Sequence, residues 1–213
     1  MIDWQQLFLF ELILMRMSGF ILFNPLLGRN NLPGTVKAGL IMVLSVSVFG
    51  LEPALTVEAP SSIIVFALIM CKELGVGFVL GFVMRLFFMV VQVGGEIIDT
   101  QMGITMAQIY DAGNQSNMTV SASLLNILLV LNFFGENGHY TLMRLLECSG
   151  ELLPYGAAVF GQATASYVAE LFFTCMILAV KLALPILAAE VLGEIGMGIL
   201  MKAIPQINAF VIN

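Results

Sequence analysis

The chain has 213 residues, of which 60% are hydrophobic and only 10% charged; its mean hydropathy of +1.01 sets it apart from soluble domains, where about a quarter of residues carry charge. It reads as one domain of membrane protein. The formal charge of -6 with only 8 Lys and Arg argues against a nucleic-acid partner, because a phosphate-binding face needs clustered basic residues.

Met1 to Gln6 has no positive n-region, and the first apolar run, Leu7 to Phe23, is interrupted by Glu11 and Arg16. The spacing predicts a retained helix rather than a cleaved leader. "NPLLGRNNLPG", Asn24 to Gly34, is a firm break, and Val36 to Leu51 is the next apolar run. Arg29 and Lys37 flank that first turn, whereas Glu52 and Glu58 fall in the following one. The positive-inside bias therefore puts the first turn on the cytoplasmic side.

Ser61 to Gly94 is a long helical segment. It would reach roughly 50 Å if continuous, against a bilayer core of about 30 Å, so it must tilt, break or leave the membrane. Lys72, Glu73 and Arg85 lie within it, where each charge costs about 2.5 to 3.5 kcal/mol on insertion scales. Gly75, Gly77 and Gly81 contain a small-xxx-small spacing suited to close helix packing. Met118 to Phe134 is another apolar helix, and Glu136 to Pro154 is amphipathic, with Arg144 and Glu147 placed to pair at i, i+3. Ala163 to Met201 carries Glu170, Lys181, Glu190 and Glu194, and Pro185 is expected to kink or split it. Glu190 and Glu194 are i, i+4 neighbours, so at least one needs a partner or water.

Between the long apolar segments stands "IIDTQMGITMAQIYDAGNQSNMTV", residues 97 to 120. Irregular backbone at membrane depth is tolerated only where it is buried in protein or lines an aqueous cavity. Gly94, Gly95, Gly103 and Gly113 are read as bends. Gln101, Thr105, Gln108, Asn114, Gln115 and Asn117 supply hydrogen bonds, while Met102, Ile104, Met106, Ile109 and Tyr110 are apolar. Such a loop can seal a channel as a plug; an ordinary extramembrane connection fits the composition equally well. The N-x-[ST] matches at Asn114 and Asn117 carry little weight.

The embedded charges Glu11, Arg16, Lys72, Glu73, Arg85, Glu96, Lys181 and Glu190 suit helices that face other subunits or water rather than lipid. His139, the only histidine, reads as a hydrogen-bonded structural residue rather than a proton relay. Glu96 and Asp99 make at best a weak cation site. Cys71, Cys148 and Cys175 form no CxxC pair and read as apolar fillers. With no GK[ST] loop, no HExxH and no paired nucleophile and base, neither an enzyme nor a bound cofactor or metal is expected.

The words "RMSGFILFNPLLGRNNLPGTVKAGL" (16 to 40), "GFVMRLFFMVVQVGGEIIDTQMGITMAQIYD" (81 to 111), "ENGHYTLMRLLECSGELLPYG" (136 to 156) and "LALPILAAEVLGEIGMGILMKAIPQINAFVI" (182 to 212) resemble, in order, the flagellar biosynthetic FliR family and its SctT-like virulence counterparts in type III secretion. The resemblance implies an all-α integral membrane fold, with broken, charged helices packed as hairpins in a helical multi-subunit export gate. It implies FliP-like and FliQ-like partners, together with FlhB-like and FlhA-like export components, and unfolded export substrates. The expected location is the bacterial inner membrane at the flagellar basal body. Residues 1 to 160 would be FliP-like, including the loop at 97 to 118, and 161 to 213 a FliQ-like part that is shortened, since relatives continue with a further helix.

The family's channel plug falls on Gln101 to Asn117. Met106, Ile109 and Tyr110 would then block, and Gln101, Gln108, Asp111 and Asn114 would position, with Met102 and Ile104 beside them. The alternatives are a virulence secretion subunit, a transporter or channel subunit, and an assembly scaffold with no part in conduction. Inverted-repeat symmetry would favour a transporter, and the Asn24 to Gly34 break has no counterpart in the second half.

Overall fold

Long apolar runs without interior turn signals have one way to satisfy their backbone in lipid, which is to form helices. The computed structural model describes residues 4–51, 57, 60, 62–105, 108–111 and 116–203. Its elements in chain order are α1 (Trp4–Phe23), α2 (Gly34–Leu51), α3 (Ile63–Gln101), β1 (Gln108–Asp111), β2 (Ser116–Thr119), α4 (Val120–Gly135), α5 (Gly138–Leu152) and α6 (Gln162–Ala203). Among the described residues, α1, α2, α3 and α6 are each long and apolar enough to cross a membrane. The protein is an all-α integral membrane protein carrying one short hairpin. Glu52, Glu58 and the IPQIN word lie outside the described residues.

The core lies around α1, whose Leu9, Leu12, Ile13, Met17 and Ile21 are fully buried. Leu44 and Val48 of α2, Leu142 and Leu146 of α5, and Tyr155 complete it. The seam between α1 and α3 is closed by glycines. A Cβ on Gly77 would collide with the Arg16 carbonyl, one on Gly19 with the Leu74 carbonyl, and one on Gly81 would lie 2.9 Å from the Phe20 carbonyl. Such an approach lets two backbones pack where larger side chains would hold them apart. Gly75 faces a different neighbour, the Phe160 ring.

Small residues also join α6 to α3. Cys175, Ala179 and Ala183 recur at i, i+4, i+8 and are the buried positions of α6, and Gly94 of α3 sits against the Ala179 carbonyl and the Leu182 side chain. Much of the rest of α6 is exposed apolar surface, with Phe173, Leu192 and Ile199 each more than 60% exposed, a surface for lipid or other protein.

Several expectations are corrected. Pro185 does not split the last segment, because α6 runs through it as one helix of 42 residues; the proline removes one backbone donor, and the flanking turns hold. Gly94 and Gly95 are not bends. They lie inside α3, which continues to Gln101, and serve as contact points where α6 and α4 cross it. The break expected between Phe134 and Glu136 falls at Asn137, which takes the left-handed conformation (φ 58°) between α4 and α5, whose axes differ by 69°. Asn reaches that region more readily than most residues with a Cβ.

Candidate functional site

The polar stretch after α3 is a β-hairpin. β1 and β2 pair antiparallel with Gln108 opposite Thr119, Ile109 opposite Met118, Tyr110 opposite Asn117 and Asp111 opposite Ser116. Pairing satisfies the inward backbone groups of both strands, so the segment is more ordered than a loop of bends. The two strands differ in exposure. Ile109 is 47% and Tyr110 62% exposed, whereas Met118 and Thr119 are buried against the helices. The hairpin thus holds one edge on the body and offers the other outward.

Its neck is clamped. Asp99, fully buried on the last turns of α3, accepts a hydrogen bond from the Ser121 backbone N–H at 2.7 Å and another from the Ser121 hydroxyl. Ser121 lies in the first turn of α4, where backbone N–H groups lack helical partners and the helix dipole favours an anion. The residue at the usual capping position, Thr119, makes no side-chain cap, so Asp99 caps α4 from across the junction. Gly95 lies one turn before Asp99, against the backbone of Ala122, and only a residue without a side chain lets α4 come that close. On the other side Gly103 (φ +72°) ends α3, with Met102 N–H donating to the Ile98 carbonyl and Ile104 N–H to that of Asp99.

Of the residues read from the sequence as plug-forming, Gln101, Met102, Ile104, Gln108, Ile109 and Tyr110 are all exposed along this hairpin and its approach. Asp111 is placed in β1 by its backbone. Met106 and Asn114 lie outside the described residues.

The charges divide into two groups. Arg16 and Glu73 are fully buried and paired at 2.7 Å. Arg16 also donates to the Ser149 carbonyl at 2.9 Å and the Leu153 carbonyl at 3.0 Å, and its guanidinium lies 4.1 Å from the centre of the Tyr155 ring. The second Glu73 oxygen accepts from the Gly156 N–H at 2.8 Å. One cluster thus joins α1, α3, the end of α5 and the segment after it. Glu11, Glu96 and Glu190 are half-buried; Gln92 donates to Glu96 at 3.2 Å, and one Glu190 oxygen is buried without a partner. Lys72, Arg85 and Lys181 are exposed on the chain, so the chain itself does not bury them.

Three smaller readings are refined. Arg144 and Glu147 form no ion pair, the Arg16–Glu73 pair being the only one among the described residues. His139 packs its ring 4.2 Å from that of Tyr140, and its buried Nδ1 has no hydrogen-bond partner. Each oxygen of Asp99 accepts a hydrogen bond from Ser121, and among the described residues no third metal-binding side chain joins it and Glu96.

The family model of bacterial export proteins, family 1, matches residues 7–213. The chain belongs to that family. The flagellar biosynthetic protein FliR of Escherichia coli (strain K12) is 29% identical over 212 residues, 99% of this chain and 79% of that protein. FliR of Bacillus subtilis (strain 168) is 27% identical over 209 residues, covering 95% of this chain and 79% of the relative. The Yop proteins translocation protein T of Yersinia pestis is 26% identical over 210 residues, 95% and 78% of the two chains. These family names speak of export and translocation. In this export-family chain, sequence reasoning did not reach the Asp99–Ser121 clamp or the partners of Arg16. A usable signal did exist: Glu73, Gly77 and Gly81 recur at i, i+4, i+8, which puts a carboxylate on the same helix face as two glycines.

Proposed function

We propose that this protein is a subunit of a type III protein-export gate in the bacterial inner membrane, and that its hairpin after α3 closes the conduit through which unfolded proteins are exported. The observation that carries the reading is the hairpin itself: exposed apolar side chains on Ile109 and Tyr110, set on a neck clamped by Asp99 in a chain of the bacterial export family. A clamped neck fixes where β1 sits, and Ile109 and Tyr110 on it are left exposed on the chain. Apolar and uncharged polar groups give a seal that passing chains can displace, because neither makes strong directional bonds to cargo. The partners in this reading are FliP-like and FliQ-like subunits, which would cover the bare faces of α2, α4 and α6, with FlhB-like and FlhA-like components nearby.

The flagellar system is the favoured setting, since the FliR relatives stand at 29% and 27% identity and the virulence relatives at 26%. The test removes residues 104 to 110 from the assembled complex in a bacterial inner membrane and measures ion leak and secretion together. Leak with assembly intact supports the plug. A tight membrane with assembly intact removes the plug and leaves a scaffold.

A further inference from the structure

One face of α3 opens into a cavity of about 400 Å³ that reaches the hairpin. Arg85, Phe88, Met89 and Gln92 recur at i, i+3, i+4 and i+7 along that face. Arg29, from the turn after α1, and Met118 of β2 complete the lining with Asn126 of α4. A neighbouring cavity of about 180 Å³ shares Arg29 and Arg85, so the two arginines stand together.

Neighbouring like charges repel, and arginine cannot shed its proton to relieve them. Arg16 shows how this chain satisfies an arginine, with a carboxylate at 2.7 Å and two backbone carbonyls. The pair at the cavity has no such answer. Arg85 makes no hydrogen bond or ion pair among the described residues. Arg29 is half-buried and uses only its Nε, on the Pro25 carbonyl at 3.4 Å. Among the described residues neither cavity is lined by a carboxylate, and the half-buried Asn126 amide makes no hydrogen bond either.

The shape of the lining selects the kind of anion. At 1.5 Å per residue the face from Arg85 to Gln92 is about 10 Å long, charged at one end, amide-bearing at the other and apolar between, at Phe88 and Met89. A free inorganic anion would fill the charged end alone and leave the apolar middle wet. An aspartate or glutamate carried on a protein segment meets all three parts. Its carboxylate suits the planar fork of arginine, its stem covers the apolar middle, and its backbone offers partners to the amides. Complementary charge of this kind also fixes the register of two protein surfaces. We propose that this cavity receives an acidic side chain of a sister subunit, with its carboxylate held by Arg29 and Arg85. The docked segment then also packs against Met118, on the buried strand of the hairpin. The site rests on the reading of the chain as one subunit of an export assembly, and not on the hairpin's being a plug.

The experiment uses an Arg29→Lys, Arg85→Lys double variant, which keeps both charges, in the assembled complex purified through a tag on this chain. A water-soluble carbodiimide activates a carboxylate, an introduced amine attacks it, and a urea leaves as the amide bond forms, so only a carboxylate in contact is joined. Peptide mass spectrometry should find position 29 or 85 joined to an aspartate or glutamate of a sister subunit. A join only to an acid of this chain, Glu96 or Asp111, overturns the site. So does the absence of any join in an assembled complex, whether the introduced amines are open to acetylation or shielded by something else. In parallel, Arg29→Ala with Arg85→Ala should lower the yield of co-purified sister subunits about tenfold or more, as expected when one side of a charge pair is truncated; an unchanged yield overturns the site. Should that variant fail to accumulate, the carbodiimide result decides. If the wild-type chain brings down no sister subunit, the export-assembly reading itself fails, and the site with it.

Discussion

Two junctions on α3 solve the problem of buried charge differently. At Arg16–Glu73 the solution is a full ion pair with every strong donor and acceptor answered by backbone. At Asp99 it is a lone carboxylate held by the open end of a helix. The first junction ties together elements far apart in sequence and leaves nothing free to move. The second ties only the two ends of one excursion, the hairpin, and leaves Ile109 and Tyr110 of β1 exposed. Both junctions use a glycine one turn from the charge, Gly77 after Glu73 and Gly95 before Asp99, because such short bonds require the helices to touch. The difference teaches that the same device, charge beside glycine, makes a fixed frame in one place and a mount for a projecting part in the other.

The contrast predicts a ranked series of effects. Glu73→Ala strands the Arg16 cation in the core and should cost about 3 to 5 kcal/mol, whereas the Arg16→Met, Glu73→Leu double variant should recover most of that loss. Thermal unfolding in detergent and the amount of protein accumulating in the membrane read this out. Next comes Gly77→Val, which overpacks the α1–α3 seam and should cost about 1 to 3 kcal/mol or more, seen as a lower midpoint with the fold retained. Asp99→Ala removes the cap of α4 and should cost about 0.5 to 2 kcal/mol. Unlike Gly77→Val it should also loosen the hairpin, with faster hydrogen exchange at 108–119 and a measurable ion leak. The smallest effect on stability belongs to the exposed strand: Ile109→Ser with Tyr110→Ser in β1 should stay within about 0.5 kcal/mol and still raise leak. Equal leak from the Gly77 and β1 variants would erase the distinction between frame and mount.

The helices were legible in the sequence because apolar runs of that length have few other fates in lipid, whereas the excursion read as 97 to 120 begins only after Gln101, since α3 runs that far. What escaped depended on long-range partners. Nothing local to "RMSGF" shows that Arg16 will meet Glu73, 57 positions away. Gly94 and Gly95 looked like bends because paired glycines usually are, yet here the crossing of α4 and α6 over α3 repays their weak helix preference. Of the two outcomes expected at Pro185, a kink or a split, the split does not occur, because α6 runs through it as one helix. The strand pairing of the hairpin was hidden because "QIYD" and "SNMT" alternate too briefly to announce strands.

The most direct measurement places a photo-crosslinking amino acid at Tyr110 in the assembled complex and illuminates cells with and without an export substrate stalled in transit. With the channel empty, crosslinks to sister subunits around the pore are expected, and with a stalled substrate they should shift to the substrate chain. Crosslinks only to lipid or to outer-surface proteins in both conditions would contradict the placement of the hairpin in the conduit.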